Sequence, residues 1–357
     1  MAKREKIKET EDREQSYFTK QEKDVAMFSS GCTLLDQVLG GGWAVGRVSN
    51  IIGNRSAGKT LLAIEACSNF VEKYKKATIY YIEAESAFDV SYAEALGLPV
   101  KSVKFGTDHN LGVADNCSTV EGLFEYLEKV IEQQIENNDD TPALVVIDSL
   151  DAFSDRKEQA MDIDQGTYGA AKAKQLSQMF RRLITKLENS KVSLMFISQI
   201  RDKIGATMGE KTSRSGGKAL DFYCSQVIRI AEIGKLKKTS KGVERPVGVK
   251  VKAKCQKNKV GLPFRECEYE IIFGYGINDI KASIDWMQQV KYEVPFDELG
   301  LEKQTKIAIS NFCKSMLSCD FDEYDRVKQI TDRHVIKHWE TIEEGFLPKR
   351  GKYRGAI

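Results

Sequence analysis

The chain has 357 residues, 41% hydrophobic and 30% charged, enough for one large core and a smaller satellite in an ordinary globular composition. Its 54 basic and 52 acidic side chains leave a formal net charge of +2, so any affinity for nucleic acid has to come from local basic clusters and not from a global field. A densely charged amino terminus and the lack of any long apolar run argue against secretion or a membrane span, and eight cysteines with no C-x-x-C pair fit reduced thiols of a cytoplasmic protein better than a zinc site or a disulfide frame.

Residues 1–28 alternate acidic and basic side chains with few hydrophobes, the texture of an exposed helix or arm that could serve oligomerisation. From Ser29 apolar runs alternate with helical patterns. Strands are predicted at Val48–Ile52, Thr78–Ile82, Ser102–Phe105, Ala143–Asp148 and Val192–Gln199. One helix is predicted from Val120, Leu123, Phe124, Leu127, Val130 and Ile131, opened by a capping box at Ser118-Thr119-Val120-Glu121. Another is predicted from Leu176, Met179, Phe180, Leu183, Ile184 and Leu187. Strands alternating with helices imply an α/β fold with a mostly parallel, twisted sheet flanked by helices, which binds ligands at the carboxyl ends of its strands.

The segment after the first of these strands, Gly53-Asn54-Arg55-Ser56-Ala57-Gly58-Lys59-Thr60, is a complete G-x-x-x-x-G-K-T phosphate loop. Its glycines let backbone N–H groups turn inward around phosphates, Lys59 reaches the β/γ-phosphates, and the Thr60 hydroxyl suits Mg²⁺. Ala143–Asp148 reads as the Walker B strand beside that loop, with Asp148 as a second Mg²⁺ ligand. Beyond Thr78–Ile82, either Glu85 or Glu83 could polarise an attacking water. Gln199, at the end of a buried strand, could sense the γ-phosphate, and the basic loop Arg201–Gly217 that follows, carrying Lys203, Lys211 and Arg214, could report nucleotide state to a nucleic-acid site.

After Gln226 the runs Val227–Ile230, Val247–Ala253 and Glu268–Phe273 predict an antiparallel extension of the sheet. Residues 278–357 return to charge-rich helical sequence, a small α-rich carboxy-terminal domain ending in the basic tail Lys349–Arg354.

These motifs, in this order, resemble the RecA family of homologous-recombination ATPases from Phe28-Ser29-Ser30-Gly31 to Gly276-Ile277-Asn278, including Ile82-Glu83-Ala84-Glu85-Ser86-Ala87-Phe88-Asp89, Phe196-Ile197-Ser198-Gln199-Ile200-Arg201 and Lys257-Asn258-Lys259. The resemblance implies a RecA-like core over residues 29–277, with ATP and Mg²⁺ as cofactors. It places the catalytic base on Glu85, adenine contacts on Asp89 and Tyr92, and the γ-phosphate sensor on Gln199. It also implies that Lys257 and Lys259 are donated across a subunit interface with Phe222 beside them, and that DNA-binding loops lie at about 157–169 and 200–217. Lys174, Arg201, Lys203, Arg214, Gly216 and Gly217 are then the DNA-contacting residues.

The implied activity is an ATP-dependent helical filament on single-stranded DNA that pairs with double-stranded DNA and exchanges strands, with single-strand-binding and loader proteins as further partners. A hexameric helicase or branch-migration motor of the same fold, and a non-catalytic ATP-switched scaffold, are the alternatives. Lys218 and Asp221 depart from the family pattern, the first loop is acidic at Asp162 and Asp164, and the tail is basic where many relatives are acidic. Such divergence suits a phage-encoded recombinase.

Overall fold

A computed structural model describes residues 25–84, 88–106, 119–136, 141–154, 169–187, 190–202, 212–214, 217–301 and 305–349. Its centre is one sheet in the order β12-β11-β10-β9-β3-β7-β6-β4-β5, with β8 paired to β7. The strands from β9 to β5 are mutually parallel: β3 (Val48–Gly53), β4 (Thr78–Glu83), β5 (Val103–Phe105), β6 (Ala143–Asp148), β7 (Val192–Asp202) and β9 (Gln226–Ser240). β10 (Val243–Asn258), β11 (Glu266–Ile272) and β12 (Gly276–Ile277) continue it antiparallel, as the sequence predicts. A two-stranded sheet of β1 (Met27–Phe28) and β2 (Trp43–Ala44) precedes it.

Every residue of β3 and β6 is buried, which is why these segments read as unbroken apolar runs: helices cover both faces of the sheet at this point. One face packs on α4 (Val120–Glu136) and α5 (Gly169–Leu187). The predicted stripe of α4 is buried throughout, while in α5 Met179 and Ile184 are only partly covered. Phe124 meets Phe180 edge-on at 5.1 Å, and Arg182–Glu128 and Lys186–Glu132 ion pairs close the outer seam of the two helices. At the start of α4 Thr119 Oγ1 accepts the Gly122 N–H at 3.0 Å; Ser118, the first residue of the predicted capping box, lies outside the described residues.

The other face packs on α1 (Thr33–Leu39), α2 (Lys59–Lys73) and the carboxy-terminal helices α7 (Asp279–Gln289), α8 (Lys306–Ser315) and α9 (Phe321–Phe346). The short helices α3 (Val90–Ala95) and α6 (Gly217–Tyr223) complete the described helical elements used below. Thr33 on α1, Asp279 on α7, and Lys328 and Asp332 on α9 form one polar network, in which the Lys328 ammonium bonds the buried Asp279 carboxylate and reaches Asp332 at 3.0 Å. A buried carboxylate requires such a partner, and here it fixes α9 against the core.

Two predicted elements change form. The strand expected over Val192–Gln199 runs on to Asp202 and pairs with β8 (Thr212–Arg214), so part of the segment expected as a basic loop is β-structure. The short runs expected around Val227–Ile230 and Val247–Ala253 are parts of much longer strands, β9 and β10, joined through Lys241 and Gly242 at φ 49° and 79°. Two successive positive φ values match a two-residue hairpin turn, and the outer strands lack apolar alternation because neither face is buried.

Candidate functional site

β3 ends at Gly53 and the chain turns through 54–58 into α2. Gly58 stands at φ +87°, and a Cβ there would come within 2.4 Å of Ile271 Cδ1; one on Gly53 would meet the Ile230 carbonyl at 2.7 Å. Only glycine therefore lets the loop close against β9 and β11. Ser56 also has positive φ, 60°, so the loop curls with its N–H groups available to anionic oxygens at the positive end of α2. Lys59, buried at the start of α2, donates from Nζ to the Asn54 carbonyl at 2.8 Å, and Ala57 is buried beneath the loop.

Thr60 Oγ1 donates to Asp148 Oδ2 at 2.7 Å, and the buried Tyr81 hydroxyl donates to the same oxygen at 3.0 Å. Burial, with the Asp148 charge next in importance, pushes the Tyr81 phenol well above its ordinary range, so it remains a donor. A hydroxyl and a carboxylate this close form an oxygen donor set that fits Mg²⁺, which takes one or two protein ligands and keeps several waters.

The Walker B strand is not the sheet neighbour of the phosphate-loop strand. β7 lies between β3 and β6, and its register sets Gln199 opposite Gly53. Asp148 still reaches the loop because it ends β6 at the same edge of the sheet, under the start of α2. The Gln199 N–H donates to Asp151 Oδ2 at 2.7 Å, which ties the end of β7 to the turn after Asp148.

A cleft of about 290 Å³ opens over these groups. Lys59, Thr60, Asp148 and Gln199, with Arg55 and Ser56 at the loop, give it one polar side; Tyr92, Val249, Ile271 and Phe273 give it an apolar one. Asp89 is not in its wall: exposed, it caps α3 by accepting the Tyr92 N–H at 3.0 Å and so orients the helix that carries Tyr92. The sequence reading did not find Tyr81, Asp151, Val249, Ile271 or Phe273. Phe273 follows β11 at 56% exposure, and only the return of that strand to the phosphate loop reveals it.

Lys257, Lys259 and Phe222 are gathered at the opposite end of β3. The Lys259 N–H donates to Ser225 O, and the Ser225 N–H to Val48 O, the first residue of the strand that ends in Gly53. At about 3.3 Å per residue the strand holds these lysines roughly 17 Å or more from their own phosphate loop. Lys257 Nζ donates to the carbonyls of Asp221 and Phe222, the latter at 2.9 Å, and Lys259 Nζ to Phe222 O at 3.4 Å. Burial, then the neighbouring Lys259 charge, lowers the Lys257 pKa. Phe222 is 70% exposed.

Of the expected DNA contacts, Arg201 and Arg214 lie on the antiparallel arms β7 and β8 at the Gln199 edge, where Arg201 pairs with Ser213 and Ile200 with Arg214. Lys174 lies on α5, and Gly217 opens α6. Glu85, Lys203, Gly216 and most of the first loop lie outside the described residues, as do the arm at 1–24 and the tail from Arg350. Glu83, its rival as base, ends β4 opposite Asp148. The described cysteines are free thiols, and among the described residues no cluster of three or more His, Cys, Asp or Glu could hold a metal. No described helix is long and apolar enough to cross a membrane.

The family model for the RecA N-terminal domain matches residues 15–278. Protein RecA of Gloeothece citriformis is 35% identical over 261 residues, covering 73% of this chain and 67% of the relative. Protein RecA of a Nostoc species is 33% identical over 265 residues (74% and 68%), and that of Trichodesmium erythraeum 34% over 266 residues (74% and 68%).

Proposed function

The chain belongs to the RecA family, and we propose from that premise that it is a DNA-dependent ATPase that assembles with ATP and Mg²⁺ into helical filaments on single-stranded DNA and exchanges strands with a homologous duplex. The observation that carries this reading is the division of the site. Gly53 to Thr60, Asp148 and Gln199 stand at one end of β3, and Lys257 and Lys259 at the other. One subunit offers a phosphate cradle and its neighbour offers two cations, which would offset charge developing on the phosphoryl oxygens.

In this scheme Lys59 and the loop N–H groups hold the triphosphate, Tyr92 and Phe273 flank the base, and Glu85 orients the attacking water. Mg²⁺ held at Thr60 and Asp148 would supply charge neutralisation on the phosphates. Gln199 meets the γ-phosphate and passes its presence to the arms β7 and β8, whose basic residues face DNA phosphates. Affinity for DNA then falls with salt, and base pairing between the two nucleic acids carries the sequence information.

Electron microscopy with single-stranded DNA and a non-hydrolysable ATP analogue tests the assembly, and a Glu85→Gln variant tests the chemistry. Open helical filaments, formed by the variant as well but without turnover, are expected. Closed rings would replace the recombinase by a motor of the same fold, and normal turnover in the variant would remove Glu85 as the base.

A further inference from the structure

Tyr81 and Asp148 stand on neighbouring strands and on one face of the sheet. β4 and β6 are paired with Tyr81 opposite Val146 and Glu83 opposite Asp148, so the phenol and the carboxylate are diagonal neighbours. α2 covers this face, and its first turn brings Thr60 to Asp148. The Tyr81 side chain is wholly buried and Asp148 is only 8% exposed, so little water reaches the bond between them. A buried phenol needs an acceptor. Here the acceptor is the carboxylate oxygen that also takes the Thr60 hydroxyl, at 3.0 Å from Tyr81 and 2.7 Å from Thr60. Two donors from different elements, β4 and α2, thus converge on Asp148 Oδ2 and fix the rotation of the carboxylate.

The tyrosine is itself held by its ring. Phe88 meets it edge-on at 4.8 Å and Phe105 lies at 6.3 Å, while Phe88 and Phe105 meet each other at 5.1 Å. Such edge-to-face contacts add direction to simple burial. Phe105 ends β5 directly beside Tyr81. Phe88 precedes Asp89, the cap of α3, and α3 carries Tyr92 to the apolar wall of the cleft. The main chain repeats the tie, because the Ala84 N–H after β4 donates to the Asp148 carbonyl at 2.9 Å.

We propose that Tyr81 is a positioning residue for the metal corner of the nucleotide site: braced by Phe88 and Phe105, its hydroxyl aims the Asp148 carboxylate at Thr60 and Mg²⁺. The proposal rests on the ATPase reading above and adds to it the side chain that sets the Mg²⁺ requirement. Asp148 closes a strand and has free torsions of its own, so an oxygen donor set of one hydroxyl and one carboxylate needs a third group to hold its geometry. Tyr81 supplies that group from a rigid ring. Because the same ring meets Phe88, it also ties the metal corner to the segment that leads into α3.

The test is Tyr81→Phe in the full chain, which keeps the ring and its contacts and removes one oxygen. Binding of a fluorescent non-hydrolysable ATP analogue is titrated with Mg²⁺ and measured again in EDTA. Removing a group that orients a metal ligand costs about 10- to 100-fold in metal affinity. The Mg²⁺ concentration at half-maximal binding should therefore rise about 10-fold or more, with affinity in EDTA held within about twofold. Phe88→Leu keeps the hydroxyl and loosens the brace, so a smaller shift in the same direction is expected. An unchanged Mg²⁺ midpoint in Tyr81→Phe overturns the proposal. So does an equal loss of affinity with and without Mg²⁺, which marks a packing defect of the cleft. If Tyr81→Phe does not fold, Phe88→Leu decides by the same two criteria. Nucleotide binding by the unaltered chain that ignores Mg²⁺, or no binding at all, would defeat the ATPase reading itself and this proposal with it.

Discussion

Replacing Asp151 by alanine should loosen β7 at Gln199 without removing any side chain from the wall of the nucleotide cleft. Asp151 Oδ2 accepts the Gln199 N–H at 2.7 Å, and its other oxygen is shielded from solvent with no hydrogen-bond partner among the described residues. Alanine removes the acceptor and leaves a partly buried donor unsatisfied, which costs about 1–3 kcal/mol. If that cost falls on local opening of the strand end, amide exchange at Gln199 accelerates by roughly 5- to 150-fold, at about 1.4 kcal/mol per tenfold. Hydrogen exchange read by mass spectrometry on overlapping peptides across 192–202 measures it. Asp151→Asn keeps an oxygen acceptor and should restore most of the protection. ATP affinity should stay within about twofold of the parent, because Asp151 does not line the cleft. Exchange in the alanine variant equal to that of the parent would refute the reasoning, since the hydrogen bond would then contribute nothing to holding Gln199.

Two further outcomes follow from buried and lining residues. Glu65 on α2 accepts the Ile277 N–H at 2.8 Å, and burial pushes its carboxyl from 4.5 up to about 7, with the Ile277 bond opposing, Asp279 adding to the rise and Lys328 opposing it. Because the folded pKa is the higher one, the native state holds the proton more tightly; this contribution is full below about 4.5 and is lost as pH rises through about 7, a change of about 3 kcal/mol. Glu65→Gln keeps an acceptor for Ile277 and should flatten the difference between denaturation midpoints at about pH 5 and about pH 8; the same difference in both proteins would show that Glu65 does not titrate in that window. Asp36, also raised by burial, to about 6, is common to both proteins and cancels in the comparison. Phe273→Ala should weaken ATP by roughly 5- to 150-fold if the ring stacks on the base, at about 1–3 kcal/mol per stacked base, whereas Phe273→Tyr should retain affinity. Fluorescent-nucleotide titration reads it, and an unchanged affinity would take Phe273 out of the contact.

The parts of the site carried by one contiguous segment were legible in the sequence. Gly53–Thr60 declares its turn by its glycines, and Ala143–Asp148 its buried strand by an unbroken apolar run; their meeting at Thr60 and Asp148 follows from both ending at one edge of the sheet. Parts that depend on strand order were not legible. The insertion of β7 between β3 and β6 leaves no trace in local periodicity, and neither does the return of β11 that brings Ile271 and Phe273 over the loop. Asp151 reads as one more acidic residue after a strand until the register of β7 sets the Gln199 N–H against it. The length of β9 and β10 was missed for another reason: a ribbon exposed on both faces has no alternation to detect, and only the Lys241-Gly242 turn marks it.

The state of Lys257 and Lys259 in the single chain bears on how nucleotide could govern assembly. Their ammonium groups are already engaged by the carbonyls that end α6, the negative end of a helix dipole. On the filament reading, a neighbour's nucleotide can take these lysines only by competing with hydrogen bonds to charged donors, each contributing about 1.5–3 kcal/mol. A terminal γ-phosphate brings concentrated negative charge within reach of two cations and can meet that cost; a diphosphate removes the oxygens nearest the interface and leaves the carbonyls the better partners. Because Asp221 and Phe222 supply those carbonyls, release of the lysines also frees the end of α6 beside the exposed Phe222 ring. The same three hydrogen bonds would thereby tie the interface to the presence of the γ-phosphate.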